Sequence, residues 1–151
     1  MTADAQTRAT VGAAPVPHFD DPAYNTPTPL REAVVAIVTT AGLHPAGENG
    51  FRDQNDQSFR VLPADGRGLT STHFSPNWDR TGLAADINVA FPIDRLHEMA
   101  AEGAIGSVSA LHLSFMGALD ETMTTIRLDS GPAAAAVLRQ AGVDIVLLTP
   151  V

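Results

Sequence analysis

The 151 residues contain no cysteine and no lysine. Without cysteine the chain has no disulfide, no thiolate metal site and no cysteine nucleophile. Without lysine it has no amine for a Schiff base, and all nine of its cations are arginine. Aromatic residues are scarce, with one Trp, one Tyr and six Phe. No apolar run approaches the roughly 20 residues of a membrane span, and the first residues lack the basic-then-apolar order of a secretory signal. Seventeen Asp and Glu against nine Arg give a net charge of −8, with no basic patch for nucleic acid or an anionic membrane. Together these absences predict a cytoplasmic globular protein whose partners are neither nucleic acid nor membrane.

Two regions are then distinguishable. Residues 1–29 carry Pro15, Pro17, Pro22, Pro27 and Pro29 without a hydrophobic period. They read as a disordered or extended amino-terminal arm, with Phe19 and Tyr24 as anchors on a partner. Residues 30–151 read as one α/β domain. It opens on the β-branched strand Ala33–Val38, which runs into the small polar turn Thr39–His44. Short strands follow around Ser58–Pro63 and Leu69–Phe74, and a loop at 75–80 holds the single tryptophan, Trp78. Ile87–Phe91 runs up to Pro92, and a helix then extends from Ile93 to Glu102. Its Ile93, Leu96, Met99 and Ala100 share one face, and Gly103 stops it.

A strand with polar interruptions spans Ile105 to Phe115. A last helix, Pro132 to Ala141, is capped by Asp129 or Ser130 and ended by Gly142. Val143–Val151 is a nearly continuous apolar run, which predicts a core strand buried on both faces of a parallel sheet. This alternation predicts a mainly parallel sheet with flanking helices, a three-layer Rossmann-like fold. The fold reads as incomplete at its carboxyl end, because such a sheet would continue into a covering helix. A last strand without that helix should leave Ile145 and Leu147, or their opposite-face neighbours, partly uncovered.

Sites in open α/β sheets gather beyond the carboxyl ends of strands. That rule selects Thr39, Thr40 and His44 after the first strand, Asp79 and Arg80 in the tryptophan loop, and His112 and Ser114 near the end of the interrupted strand. Arg80 offers a guanidinium fork to a substrate carboxylate. His44, His73 and His112 have the chemistry to ligate a metal or handle protons, but their spacing matches no compact metal motif. Hydrogen-bonded structural histidines are the commoner use of such positions. Asp94-Arg95 reads as a solvated pair at a helix start, and His97-Glu98 lacks the second histidine of a zinc-protease helix. There is no G-x-G-x-x-G, no P-loop and no G-x-S-x-G. Residue chemistry alone therefore describes an α/β domain with a polar site and no nucleophile.

Several stretches, taken in order, resemble the selenoprotein B family of glycine, sarcosine, betaine and D-proline reductases. They are Val38-Thr39-Thr40-Ala41-Gly42-Leu43-His44, Asp56-Gln57-Ser58-Phe59-Arg60-Val61, Asn77-Trp78-Asp79-Arg80, and Asp86 through Leu96 continuing to Gly103. His112 through Gly117 and Gly142 through Val151 complete the likeness, which covers about residues 33–151. The resemblance implies reductive cleavage of a carbon–nitrogen bond in a small amino acid or amine, with electrons from a dithiol. It implies a selenocysteine or cysteine nucleophile directly after Val151, so that no catalytic residue lies within the chain. Thr39, Thr40, His44, Asp79, Arg80, His112 and Ser114 are then the candidate substrate-binding residues. It also implies other reductase subunits as partners, one of them able to carry a pyruvoyl group, and leaves oligomerisation open.

This chain departs from the family's pattern after Val151, where neither selenocysteine nor cysteine follows. The expectation is an amino-terminal part of a reductase subunit, ending at the selenocysteine codon and inactive alone. The alternative is a stand-alone, non-catalytic α/β binding or assembly module. A complete enzyme using His44 or Asp79 as acid or base is the weakest reading, since it supplies no redox group.

Overall fold

A computed structural model describes residues 2–13, 25–76, 78–117, 119 and 122–151. Phe19 and Tyr24, the anchors expected in the arm, lie outside the described residues. Within the stretch read as an arm, Ala3–Gly12 forms a helix, α1, which precedes the first of the prolines. Its Arg8–Asp4 ion pair at 2.9 Å is largely exposed and spans one helical turn.

The domain is organised around β1 (Val34–Thr39). Its alternate side chains are buried on opposite faces, as strand geometry requires. Val35 and Ile37 join one cluster with Leu43, Leu62, Phe91, Ile93 and Leu96, whereas Ala36 joins another with Leu113, Phe115, Ala134 and Leu138. The first cluster includes the apolar face of α3 (Ile93–Ala101), the second that of α4 (Gly131–Gln140). Gly103 adopts φ +69° and ends α3, with its N–H bonded to Ala100 O and that of Ala104 to Met99 O.

The sheet is mixed, where the sequence predicts a mainly parallel one. Along one edge of β1 run β5 (Ser107–Val108) and β6 (Leu111–Ser114), both parallel to it and separated by Ser109 and Ala110. Beyond β6 lies β3 (Arg60–Pro63), which is antiparallel. On the other edge β7 (Ile145–Thr149) pairs parallel with β1 from Val35↔Ile145 to Thr39↔Thr149. A separate antiparallel ribbon joins β2 (Leu43–Pro45) to β4 (Leu69–Ser71).

The expectation of a last strand buried on both faces is corrected by this topology. β7 is a sheet-edge strand, with Val146, Leu147 and Leu148 exposed by 37%, 38% and 67%. Only Ile145 packs on the α3 cluster. Apolar sequence specified a strand, but burial requires a neighbour on each face. Leu147 and its opposite-face neighbours are uncovered, as expected for a strand without a covering helix.

Three further details depart from the sequence reading. Arg80, placed at the end of a loop, instead opens a short helix, α2 (Arg80–Ala85), capped by Asp79, whose carboxylate accepts from Thr81 N and Gly82 N. Ile87–Val89 is a 3₁₀ turn with Asp86 as its cap. Ser130 does not cap α4 by a side-chain bond. A π-helical turn at Ile126–Ser130 leads into α4, and Ser130 Oγ donates to Gln57 O at 2.6 Å. Among the described residues, no helix is long and apolar enough to cross a membrane.

Candidate functional site

Two of the family-like stretches are structural knots. In Asp56–Val61, the buried Asp56 carboxylate accepts from Arg52 N at 2.9 Å and from the backbone N–H and hydroxyl of Ser58. Burial alone would raise its pKa. The bonds from Ser58 and Arg52, with the charge of Arg60, outweigh burial and hold it at about 2. Arg60 also donates to Gly50 O and stands 4.5 Å over the Phe51 ring. In Asp86–Leu96, Asn88 is the tie: its amide donates to Asp86 and Asp94, and its oxygen accepts from Asp94 N.

That second knot delivers Ala90 to the carboxyl end of the sheet. The Ala90 carbonyl accepts from Thr39 Oγ1 and from Thr149 Oγ1, each at 2.9 Å. One residue further along, Thr40 Oγ1 accepts from Val151 N at 2.9 Å and donates to Val151 O at 3.2 Å. Strand ends β1 and β7 are therefore stitched together by hydroxyls, and the stitches place Val151 beside Thr40.

Of the residues selected from the sequence, Thr40 is the one whose side chain reaches Val151. Thr39 and Ser114 are fully buried and bonded to backbone, Ser114 Oγ accepting from Leu43 N at 2.8 Å. His44 is also buried, with Nε2 2.8 Å from Thr72 Oγ1 and Nδ1 3.1 Å from Pro45 O. His112 lies mid-strand in the core, where its Nδ1 accepts the Ile37 N–H at 2.9 Å and its ring meets Phe91 edge-on. Burial, with the nearby His97, lowers its pKa to about 4, while the carbonyl of Ala64 pulls the other way. Asp79 caps α2, and Arg80 donates to the His73 carbonyl at 2.6 Å.

Two cavities flank this region. One of about 420 Å³ is walled by Leu43, Leu69, Ser71, Arg80, Leu83 and Ile87. The other, about 300 Å³, opens at the strand ends and is walled by Thr40, Phe115, Met116, Gly117, Met123 and Val151. Thr39, His44, Asp79, His112 and Ser114 line neither. Among the described residues no group of three or more His, Asp or Glu side chains converges as a metal site.

His73, named among the histidines but left out of the substrate-binding set, stands closer to Val151 than its sequence suggests. A Cβ on Gly117 would lie 2.7 Å from His73 Nε2, 2.9 Å from Val151 O and 3.0 Å from Thr40 O. Those three groups thus pack against Gly117 so closely that no larger side chain fits there. His73 is buried and stacks on Trp78, with ring centroids 5.0 Å apart. Its spacing from other residues carries no signal. Its place between a strand end and the single tryptophan is the clue available in sequence.

These features define an α/β protein with a cavity at the carboxyl ends of its central and edge strands, walled by Thr40 and mostly apolar side chains. The chain belongs to the glycine/sarcosine/betaine reductase selenoprotein B family, whose model matches residues 10–151. It is 35% identical over 120 residues to the D-proline reductase subunit gamma of Acetoanaerobium sticklandii, covering 80% of this chain and 49% of that one. It is 31% identical to the glycine reductase complex component B subunit gamma of Carboxydothermus hydrogenoformans, covering 89% of this chain and 32% of that one. The betaine reductase complex component B subunit beta of Peptoclostridium acidaminophilum is 30% identical, with 80% and 28% covered. The chain therefore spans about half the length of the first relative and about a third or less of the other two. No solved structure matches it significantly.

Proposed function

We propose that the chain is the amino-terminal part of a reductase subunit that cleaves a carbon–nitrogen bond in a small amino acid or amine. The observation that carries this reading is the family match over most of the chain, with Val151 seated by Thr40 at the mouth of the strand-end cavity. A selenocysteine or cysteine directly after Val151 would stand at the carboxyl edge of β1 and β7, where α/β sites gather. The cavity there is walled by Thr40 and mostly apolar side chains, so it would set no competing carboxylate beside such a group. That residue supplies the redox chemistry. Two electrons and two protons, released as a dithiol becomes a disulfide, break the C–N bond and leave a C–H and an N–H.

Within the chain, Thr40 positions the strand end, and Thr39, His44, His112 and Ser114 hold the walls on which substrate rests. Asp79 sets α2, and α2 presents Arg80 on the wall of the larger cavity, where its guanidinium, one nitrogen of which is bonded to the His73 carbonyl, is the cation assigned to a substrate carboxylate. Further chain covering β7 with a helix would complete a three-layer Rossmann-like sandwich. Partner reductase subunits, one of them a source of a pyruvoyl group, and a cytoplasmic setting belong to the same reading.

The coding DNA tests it directly. A TGA codon after that of Val151, followed by an open frame, is expected. An ochre or amber stop with no continuing frame would sink this reading and favour a stand-alone binding module, for which the exposed face of β7 is the supporting feature. The 151 residues alone, mixed with purified partner subunits, should show no reductase activity.

A further inference from the structure

The two cavities differ in what they can hold. Among the described residues on its wall, the one at the strand ends has no charged side chain, so it offers an ionised group nothing to pair with. The larger one, about 420 Å³, has Arg80 as its single charged side chain. Leu43, Leu69, Leu83 and Ile87 supply most of the rest of its wall, and all four belong to or pack against the apolar cluster that holds Val35 and Ile37. Its other polar groups include the Ser71 hydroxyl, which already donates to Ala41 O at 2.7 Å.

Arg80 is held ready for an anion. Its bond to His73 O at 2.6 Å uses one of the five guanidinium N–H groups and ties the side chain to the segment just past β4. Among the described residues no carboxylate pairs with it. A guanidinium tethered in this way loses less freedom on meeting a carboxylate than a free one would. The wall makes no matching provision for a nitrogen cation. Its described residues include no Asp or Glu to pair with an ammonium and no aromatic ring to face a quaternary one.

We propose that the larger cavity selects a monocarboxylate with a saturated hydrocarbon body. Arg80 reads the carboxylate, Leu43, Leu69, Leu83 and Ile87 read the hydrocarbon, and the ligand's nitrogen is left unread. This deepens the assignment of Arg80 to a substrate carboxylate and rests on it. Specificity among small amino acids and amines is then set by how much hydrocarbon stands beside the carboxylate. Glycine and a quaternary amine such as betaine are poor occupants, and an acid with several methylenes is a good one.

The test titrates the 151-residue chain with straight-chain carboxylates from acetate to hexanoate. The readouts are calorimetry and the fluorescence of Trp78, the only tryptophan, which stacks on the residue whose carbonyl holds Arg80. Affinity should rise about fourfold per methylene buried. Hexanamide, which lacks the charge, and hexylamine, which reverses it, should bind about tenfold or more weakly than hexanoate. Arg80→Gln should weaken hexanoate about tenfold and leave the increment per methylene intact. Leu83→Asn should shrink that increment while hexanoate still outbinds hexanamide. A flat chain-length series, equal affinities for hexanoate and hexanamide, or unchanged hexanoate binding in folded Arg80→Gln would each overturn the proposal. Absence of saturable hexanoate binding would overturn it too. The reductase reading fails separately: an ochre or amber stop after the Val151 codon would remove it while hexanoate still bound through Arg80.

Discussion

β1 and β7 are written in the same alphabet, VVAIVT and IVLLT, and are hydrogen-bonded to each other along five residue pairs. One is the most enclosed strand of the molecule and the other is half bare. Val35, Ala36 and Ile37 are 0–4% exposed, whereas Leu148 is 67% exposed. The difference lies in what stands beside and above each strand. β1 has strands on both edges and a helix-bearing cluster on each face, while β7 has β1 on one edge and little over its side chains. Apolar composition specifies that a segment will be a strand. Its rank within the sheet is a property of other segments.

The sharpest way to break this comparison is truncation on each strand. Ile37→Ala should cost about 2–5 kcal/mol, the range for emptying a packed site. Leu148→Ala should cost less than about 1 kcal/mol, because its side chain is already in water. Urea denaturation of both variants checks this. Equal losses would mean that β7 is covered in solution, by a second copy of the chain or by another element.

A second prediction uses the opposite edge of β1. There the sheet is interrupted between β5 and β6, and the His112 ring takes the Ile37 N–H that a strand would otherwise receive. The folded-state pKa of His112 is depressed from 6.5 to about 4. The unfolded chain therefore binds the extra proton, so stability is full above pH 6.5 and declines as pH falls towards 4. The loss is roughly 3 kcal/mol from a shift of this size. Protonation also removes the acceptor for Ile37. His112→Gln should be less stable at neutral pH and flatter between pH 6.5 and 4. Below that window Asp56 takes over with the same sign, as its carboxylate is forced to protonate between 3.8 and about 2.

Smaller effects are expected at the strand ends and on the bare face. Thr149→Val should cost about 1 kcal/mol, since Thr39 still serves the Ala90 carbonyl. Leu148→Glu should change stability by less than about 0.5 kcal/mol yet reduce self-association, because a charge on an exposed edge strand opposes edge-to-edge pairing. Sedimentation of the variant beside the parent chain checks this. An unchanged association state would show that the bare face of β7 is not what makes copies adhere.

The pattern of what could be read in advance follows the same physics. β1, α3, α4 and β7 were legible because each carries a period or an apolar run with its own stop signal, such as Gly103 after α3. The short helix α2 was not, since Gly82 and the preceding Pro76 and Trp78 look like loop, and its cap at Asp79 was read as a ligand-binding charge. The antiparallel pairing of β3 was hidden because partner and direction are not encoded locally. At the site, a rule about strand ends selected Thr40, which borders the strand-end cavity, and Thr39, which is buried and bonded to backbone. It also drew in His44, His112 and Ser114, whose polar groups are spent on backbone and neighbours. It did not select His73, whose packing against Gly117 is set by the fold rather than by any spacing along the chain.

The carbonyl of Ala90 has a consequence beyond holding two hydroxyls. Parallel strands with apolar side chains on both faces can slide, and burial normally forbids it, because a one-residue slip turns the core face outward. β7 has little such protection, with three successive side chains already in solvent. An oxygen 59 positions away in sequence and outside the sheet, which Thr149 reaches, helps to index it alongside the Thr40 bonds to Val151. The Asp86–Leu96 knot is thus a gauge for the far end of the chain. A slip of β7 would carry Val151 off Thr40 and away from Gly117, so a turn distant in sequence contributes to how the strand end meets its crevice.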